Sequence, residues 1–318
     1  MKALLTDRAW PDDGIERDIL APAGIELVEA PSGDEATLAE LARDADAVTT
    51  CWAKVTRPVI EANPDLRHVA RMGIGLDNID VAACTERGIP VTNVPDYCVS
   101  EVADHAMAQL LDFARNTTFF DRAIKGGVYD LPAGRPMRRL STQTLGIAGF
   151  GRCGRAVADR ALAFGLRVIA WTKSGNDHGR KDVTMVDLDT LLRESDYLSL
   201  NVPLTDETRH LIDAAAFEKM KPTAYLSNTA RGPVIDQSAL LDALNAGQIA
   251  GAALDVWDPE PPAMDDPLLQ HPALIATPHA AFVSEESLTE LRTRVAHQIK
   301  AVLTGGTPES IVNGIAVP

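Results

Sequence analysis

The 318-residue sequence holds only four cysteines, Cys51, Cys84, Cys98 and Cys153, and no CxxC pair. That density excludes a disulfide framework and fits a reducing cytoplasm. It has no HExxH motif and no Cys/His cluster, so no metal site is expected. Positive charge is scarce: Lys and Arg number 30 against 45 Asp and Glu, a formal net charge of -15. An acidic surface repels a phosphate backbone, so nucleic acid is not an expected partner. No apolar run approaches the roughly 18 residues of a membrane span, so no membrane partner is expected either. The opening stretch Met1–Asp7 is too short an apolar run for a signal peptide and is predicted as a strand. What remains is 46% hydrophobic and 24% charged residues, the balance of a folded chain. At about 150 residues per domain, two domains are predicted.

Short β-like runs alternate with helical stretches almost throughout, the pattern of an α/β protein with parallel sheets. Strands are predicted at Lys2–Thr6, Ile25–Val28, Ala47–Thr50, Arg67–Arg71 and Pro90–Thr92, with helices at Asp34–Arg43 and Asn78–Arg87 between them. The longer segment Glu101–Asn116 places Val102, Ala106, Leu110 and Phe113 on one helical stripe. Glycines and prolines between Gly126 and Pro136 then break regular structure. A second series follows, with strands at Leu145–Ala148, Arg167–Trp171, Tyr197–Leu200, Thr223–Ser227, Gly251–Leu254 and Leu274–Ala276. The last helix, Ser284–Leu303, opens on an N-capping serine and two acids.

Gly149-Phe150-Gly151-Arg152-Cys153-Gly154 fits GxGxxG. Alone the pattern is weak, but it lies between the strand ending at Ala148 and a predicted helix, Gly151–Phe164. There the first glycine permits the tight turn and the second admits a pyrophosphate to the backbone. The third packs helix on strand, and the helix N-terminus faces the phosphates. About twenty residues on, where an acid would hold the ribose 2′-hydroxyl, stand Thr172, Lys173 and Ser174. Hydroxyls and a cation suit a 2′-phosphate, which predicts NADPH. NADH is the alternative, with Asp177 near enough to serve as the acid.

Three polar residues follow predicted strands: Arg231 in Asn228-Thr229-Ala230-Arg231-Gly232-Pro233, Glu260 in Asp258-Pro259-Glu260-Pro261, and His279 in Thr277-Pro278-His279. Ligands of open α/β sheets bind at the carboxyl ends of strands. Hydride addition to a ketone needs a proton donor, a role for histidine, with a carboxylate to hold the imidazolium. A guanidinium fork suits a carboxylate or carbonyl oxygen. Singly, each has an ordinary explanation as a paired arginine, a loop glutamate or a surface histidine.

Together, these runs resemble the D-isomer-specific 2-hydroxyacid dehydrogenases. So do Gly73-Ile74-Gly75-Leu76-Asp77-Asn78-Ile79-Asp80, Asn93-Val94-Pro95, Asn201-Val202-Pro203-Leu204-Thr205 and Leu254-Asp255-Val256-Trp257-Asp258-Pro259-Glu260. The likeness covers nearly the whole chain in order. It implies two Rossmann-like or flavodoxin-like domains with parallel sheets and a cleft between them. Residues 1–100 with 283–318 would form the substrate domain, and residues 101–282 the dinucleotide-binding domain. The catalytic set implied is Arg231, Glu260 and His279, with His279 as proton donor. Backbone N–H groups around Gly73, Ile74 and Gly75 would bind the substrate carboxylate, and Trp52 and Lys54 either wall the pocket or belong to an ordinary surface loop. Val102, Val202, Pro203, Thr208, Thr229, Ala230 and Asp255 would line the cofactor. Asp255 would meet the nicotinamide carboxamide, and Arg152 and Cys153 the pyrophosphate.

The expectation is an oxidoreductase that reduces a small 2-oxo acid to the D-2-hydroxy acid, and the resemblance implies a homodimer. The hydroxyl-plus-basic run at Thr172 resembles the NADPH-using glyoxylate and hydroxypyruvate reductases, whereas the stretch Val94–His105 resembles bacterial relatives of the C-terminal-binding protein corepressors, which leaves a dinucleotide-sensing binding protein as the alternative. His105 and His210 are read as structural or surface residues.

Overall fold

The computed structural model of the chain describes residues 1–317. It divides into two compact units, one made of Met1–Tyr97 with the segment from Ser284 onward, the other of Cys98–Val283.

The first unit runs β1 (Lys2–Leu5), α1 (Gly14–Leu20), β2 (Glu26–Glu29), α2 (Glu35–Ala42), β3 (Ala47–Thr50), α3 (Arg57–Glu61), β4 (His68–Arg71), α4 (Val81–Glu86) and β5 (Val91–Thr92). Its five-stranded sheet has the order β2-β1-β3-β4-β5, and each pair is parallel. β3 and β4 are buried along their whole length, as parallel strands covered on both faces must be. The order reverses between β1 and β3, and such switch points are where open sheets leave a crevice at the strand ends.

The second unit runs α5 (Val99–Arg115), α6 (Thr117–Lys125), β6 (Thr144–Ala148), α7 (Arg152–Ala163), β7 (Arg167–Trp171), β8 (Thr184–Met185), α8 (Leu188–Glu194), β9 (Tyr197–Leu200), α9 (Ala214–Lys219), β10 (Tyr225–Asn228), α10 (Gln237–Asn245), β11 (Gly251–Leu254) and β12 (Leu274–Ala276). Its seven-stranded parallel sheet has the order β12-β11-β10-β9-β6-β7-β8. This is a doubly wound sheet with its switch point between β6 and β9. The chain then enters α11 (Glu285–Leu303) of the first unit. Ser284 and Ser287 close a capping box there. Arg292 on α11 lies 5.3 Å over the Trp10 ring and 2.8 Å from Glu16 on α1, a buried pair that ties the last helix to the first.

The α/β alternation is thus realised in both units. Local signals explain where boundaries fall differently from the sequence reading. The helix expected from Asn78 starts at Val81 because the Asp80 carboxylate accepts the Ala83 N–H and caps it. The acidic surplus serves the same end at α2, α8, α9 and α10, capped by Asp34, Asp187, Asp213 and Asp236. The strand expected at Thr223–Ser227 is Tyr225–Asn228. The Glu101–Asn116 helix begins at Val99 and ends where Asn116 turns left-handed at φ 54°. Beyond it, α6 holds no buried residue. No helix among the described residues is long and apolar enough to cross a membrane.

Candidate active site

In the second unit, the glycine loop joins β6 to α7 at the switch point. Gly149 has φ 95°, and a Cβ there would lie 2.5 Å from the Asn201 carbonyl oxygen, so only glycine fits. A Cβ on Gly154 would lie 2.1 Å from the Gly149 carbonyl oxygen. Gly151 differs: a Cβ there would meet nothing within 4 Å. The protein's own packing does not require that glycine, and the backbone there is open to close approach. The first N–H groups of α7, at Arg152 and Cys153, have no intrahelical acceptor and form the positive end of a helix. Burial pushes the Cys153 thiol up, so it stays protonated and inert.

Around the loop, Asn201 donates its backbone N–H to the Ala148 carbonyl at 2.7 Å, which sets Val202 and Pro203 beside the loop. The Thr208 hydroxyl donates to the Pro203 carbonyl at 2.6 Å, folding the 203–208 turn. The Thr229 hydroxyl and Asn201 Oδ1 are buried with no partner among the described residues. A mononucleotide-binding half with open backbone donors and two orphaned polar atoms fits a dinucleotide.

After β7, Thr172 and Gly175 close a turn through a 3.0 Å backbone bond, and Lys173 and Ser174 project from it into solvent. Lys173 Nζ lies 2.6 Å from Glu207 Oε1. Arg180, further on, is held by Asp159 and Asp182 at 2.7 and 2.8 Å.

Arg231, Glu260 and His279 follow β10, β11 and β12, three neighbouring strands, at their carboxyl ends. The Arg231 turn is knitted by Asn228, whose side chain accepts the Ala230 N–H at 3.0 Å and donates to the Arg231 carbonyl at 2.9 Å. Gly232 presses onto the next loop: a Cβ there would sit 2.0 Å from the Trp257 carbonyl oxygen. His279 has φ 56°, an uncommon conformation for a residue with a Cβ. Its backbone N–H donates to the Asp255 carbonyl at 2.7 Å. Its Nδ1 lies 3.0 and 3.1 Å from the two Glu260 oxygens. Nδ1–H therefore donates to Glu260, which fixes the orientation of the ring.

Asp255 is fully buried, yet three donors converge on its carboxylate: the Thr277 hydroxyl at 2.6 Å and the N–H groups of Ala280 and Ala281 at 2.8 and 2.9 Å. The sequence reading assigned it only to the cofactor. Val102 lies in the first turns of α5, half-buried.

In the first unit, the Gly73–Gly75 turn follows β4. All three of its carbonyls are tied: Gly73 accepts from the Val94 N–H at 3.1 Å, Ile74 from Asn93 Nδ2 at 2.8 Å, and Gly75 from Arg71 Nε at 2.9 Å. The N–H groups of Ile74 and Gly75 have no acceptor among the described residues, which is how a backbone anion site is built. Trp52, 43% exposed, follows β3. Asp7 was missed by the sequence reading and fixes that loop, accepting the N–H groups of Cys51, Trp52 and Ala53 at 3.0, 2.7 and 3.2 Å. Its signal was position, an acid two residues past the first strand of a parallel sheet.

The family model for the NAD-binding domain of D-isomer-specific 2-hydroxyacid dehydrogenases matches residues 107–281. A glyoxylate reductase of Korarchaeum cryptofilum is 42% identical over 292 residues, 90% of this chain and 87% of that protein. Among solved structures, an Aquifex aeolicus D-lactate dehydrogenase complexed with NAD and lactic acid superposes with a TM-score of 0.90 at 29% identity, covering 99% of this chain and 100% of that one. An NADPH-dependent glyoxylate/hydroxypyruvate reductase of Sinorhizobium meliloti, in complex with NADP and malonate, gives 0.88 at 30% identity, covering 100% of this chain and 98% of that one.

Proposed function

The chain belongs to the D-isomer-specific 2-hydroxyacid dehydrogenase family and is an NAD(P)-dependent oxidoreductase; from that premise we propose that it reduces a small 2-oxo acid to the D-2-hydroxy acid, with NADPH preferred over NADH. The observation that carries the reading is the His279–Glu260 pair, a 3.0 Å bond at Nδ1 that orients the imidazole beside a carboxylate as a general acid requires. When bound, a reduced nicotinamide supplies the hydride. As negative charge gathers on the carbonyl oxygen, the Arg231 guanidinium stabilises it. His279 gives that oxygen its Nε2 proton, so that hydride and proton together turn C=O into CH–OH. Glu260 holds the ring in place and stabilises the imidazolium before transfer. In the first unit, the N–H groups of Ile74 and Gly75 take the substrate carboxylate, and Trp52 contacts the rest of the substrate.

For the cofactor, the proposal assigns the pyrophosphate to the Gly149–Gly154 loop with Arg152 and Cys153. Val102, Val202, Pro203, Thr208, Thr229 and Ala230 line the remainder. Asp255 Oδ2 takes one donor within the protein, which leaves it an acceptor position for the carboxamide. Thr172, Lys173 and Ser174 take the 2′-phosphate. The Glu207 carboxylate already on Lys173 is no barrier, because both partners are largely exposed. Such pairs are worth about 0–1 kcal/mol, and a doubly charged phosphate outcompetes a carboxylate.

The test is oxidation of NADPH and of NADH with glyoxylate, hydroxypyruvate, pyruvate, phenylpyruvate and bulkier or phosphorylated analogues. Turnover of at least one 2-oxo acid to the D product, with kcat/KM severalfold higher for NADPH, is the expected result. A clear NADH preference removes the cofactor assignment. A silent panel together with dinucleotide-dependent capture of a protein favours a corepressor-like sensor.

The reading extends to a homodimer and to the cytoplasm, where the four free thiols stay reduced. The dimer is supported by α6 and the segment after it, which leave Phe119, Ile124, Val128, Tyr129, Leu131 and Met137 exposed, Tyr129 by 93% and Leu131 by 72%. An apolar cluster of this kind marks an interaction surface, and an isologous contact lets a second copy cover it. Light scattering is expected to give a mass near twice the 34.1 kDa of one chain. Tyr129→Asp combined with Leu131→Asp should return it to the monomer mass, whereas a monomeric parent rules the dimer out.

A further inference from the structure

His279 sits in a turn that needs holding, because a left-handed backbone at a residue with a Cβ costs roughly 1–3 kcal/mol. The holding is done by one residue. Asp255 takes three successive N–H groups, His279 on its carbonyl at 2.7 Å and Ala280 and Ala281 on its carboxylate at 2.8 and 2.9 Å. A buried carboxylate grips only as well as it is itself supplied with donors. Its third donor is the Thr277 hydroxyl, at 2.6 Å from Oδ1.

A hydroxyl has one proton. Since Thr277 gives it to Asp255, toward any other neighbour Thr277 is an acceptor. That neighbour is His105 on α5, with Nε2 3.0 Å from Thr277 Oγ1 and 3.6 Å from Asp255 Oδ1. The imidazole must therefore carry its proton on Nε2, whether neutral or charged. A continuous chain results: His105 Nε2–H to the Thr277 hydroxyl, the hydroxyl to Asp255, and Asp255 to the backbone on both sides of the His279 Cα.

We propose that His105 is a positioning residue for His279: it fixes the Thr277 hydroxyl in the rotamer that donates to Asp255, and Asp255 thereby holds the turn that aims the imidazole. His105 touches no reacting atom. Without its N–H, the Thr277 hydroxyl has no fixed acceptor role, Asp255 loses a nearby donor, and the turn samples other conformations. Val102, one helical turn earlier on α5, is assigned to the cofactor, so the same helix serves both halves of the site.

The kinetic consequence rests on the proposed role of His279, but the structural one does not. The first measurement is therefore amide hydrogen exchange at Ala280 and Ala281 in the protein without ligand. His105→Leu should speed exchange at those two amides by about five- to tenfold, the worth of one net hydrogen bond, with the amides of β6 and β9 unchanged. His105→Gln keeps an N–H donor and should restore protection. Thr277→Val should reproduce the His105→Leu effect, and the two together should add nothing, because they break one chain. In turnover, kcat should fall by the same factor in His105→Leu and recover in His105→Gln, with dinucleotide affinity held. Unchanged exchange at Ala280 and Ala281, a uniform rise across the unit, failure of Gln to rescue, or additivity with Thr277→Val would each overturn the proposal. Altered exchange in a chain with no turnover at all would leave this inference standing and condemn the enzymatic reading instead.

Discussion

Replacing His279 by alanine is expected to lower kcat by about two to four orders of magnitude, the range of general acid catalysis by a positioned side chain. The dissociation constant for the dinucleotide should stay within a factor of about two or three. The two readouts separate because the imidazole is bonded to Glu260 and follows β12. The glycine loop follows β6, on the far side of β11, β10 and β9 in the same sheet. Glu260→Gln is the informative companion. A glutamine oxygen still accepts the Nδ1 proton, so the ring stays oriented, but the charge that favours the imidazolium is gone. Its loss should be smaller than that of His279→Ala, because the oriented ring remains in place. Steady-state rates on the best 2-oxo acid and a fluorescence titration of the dinucleotide measure both quantities. Wild-type kcat in His279→Ala would dismiss the residue from the chemistry.

Much of this arrangement is legible in the linear sequence because the signals are local. The β–α alternation is built from short stretches, the Gly149–Gly154 loop and the Ser284 cap occupy one each, and all three are present in the fold. The residues that hold the site are another matter. Asp7 grips backbone at Cys51–Ala53, and His105 reaches Thr277 across most of the second unit. Contacts of that range leave no periodicity or spacing to read, since they exist only once parallel strands have brought distant loops to the same sheet edge. Helix α6 was hidden for a different reason. Phe119, Phe120, Ala123 and Ile124 fall at helical spacing, but the stripe spans a nine-residue helix and none of it is buried, so it belongs to no core. Asp255 shows a third limit. A resemblance names what a residue touches in the bound state, while the carboxylate's three bonds within the chain are visible only in the fold.

Gly232→Ala is expected to cost about a hundredfold in kcat, although the substitution adds one methyl group and removes no polar atom. The added Cβ would lie 2.0 Å from the Trp257 carbonyl oxygen, 2.1 Å from its carbonyl carbon and 2.8 Å from the Asp258 nitrogen. These are backbone atoms with no rotamer to escape into, so the two loops must part by more than an ångström. Arg231 precedes the methyl directly, and Glu260 lies two residues past Asp258, so parting the loops separates the guanidinium from the acid. Trp257 passes the push on, because its buried indole donates from Nε1 to the Thr277 carbonyl at 3.3 Å, at the base of the His279 turn. Displacements of about 1 Å in a catalytic constellation cost on the order of a hundredfold, whereas overpacking at one position costs stability by roughly 1–3 kcal/mol. The protein should therefore stay folded, with a lowered Tm and dinucleotide affinity close to that of the parent. Because the damage is to relative position, added guanidinium, which rescues a missing side chain, should not restore activity. Parental kcat in a folded Gly232→Ala protein would mean that Arg231 and the His279–Glu260 pair need no fixed relation, and the proposed division of labour would fall with it.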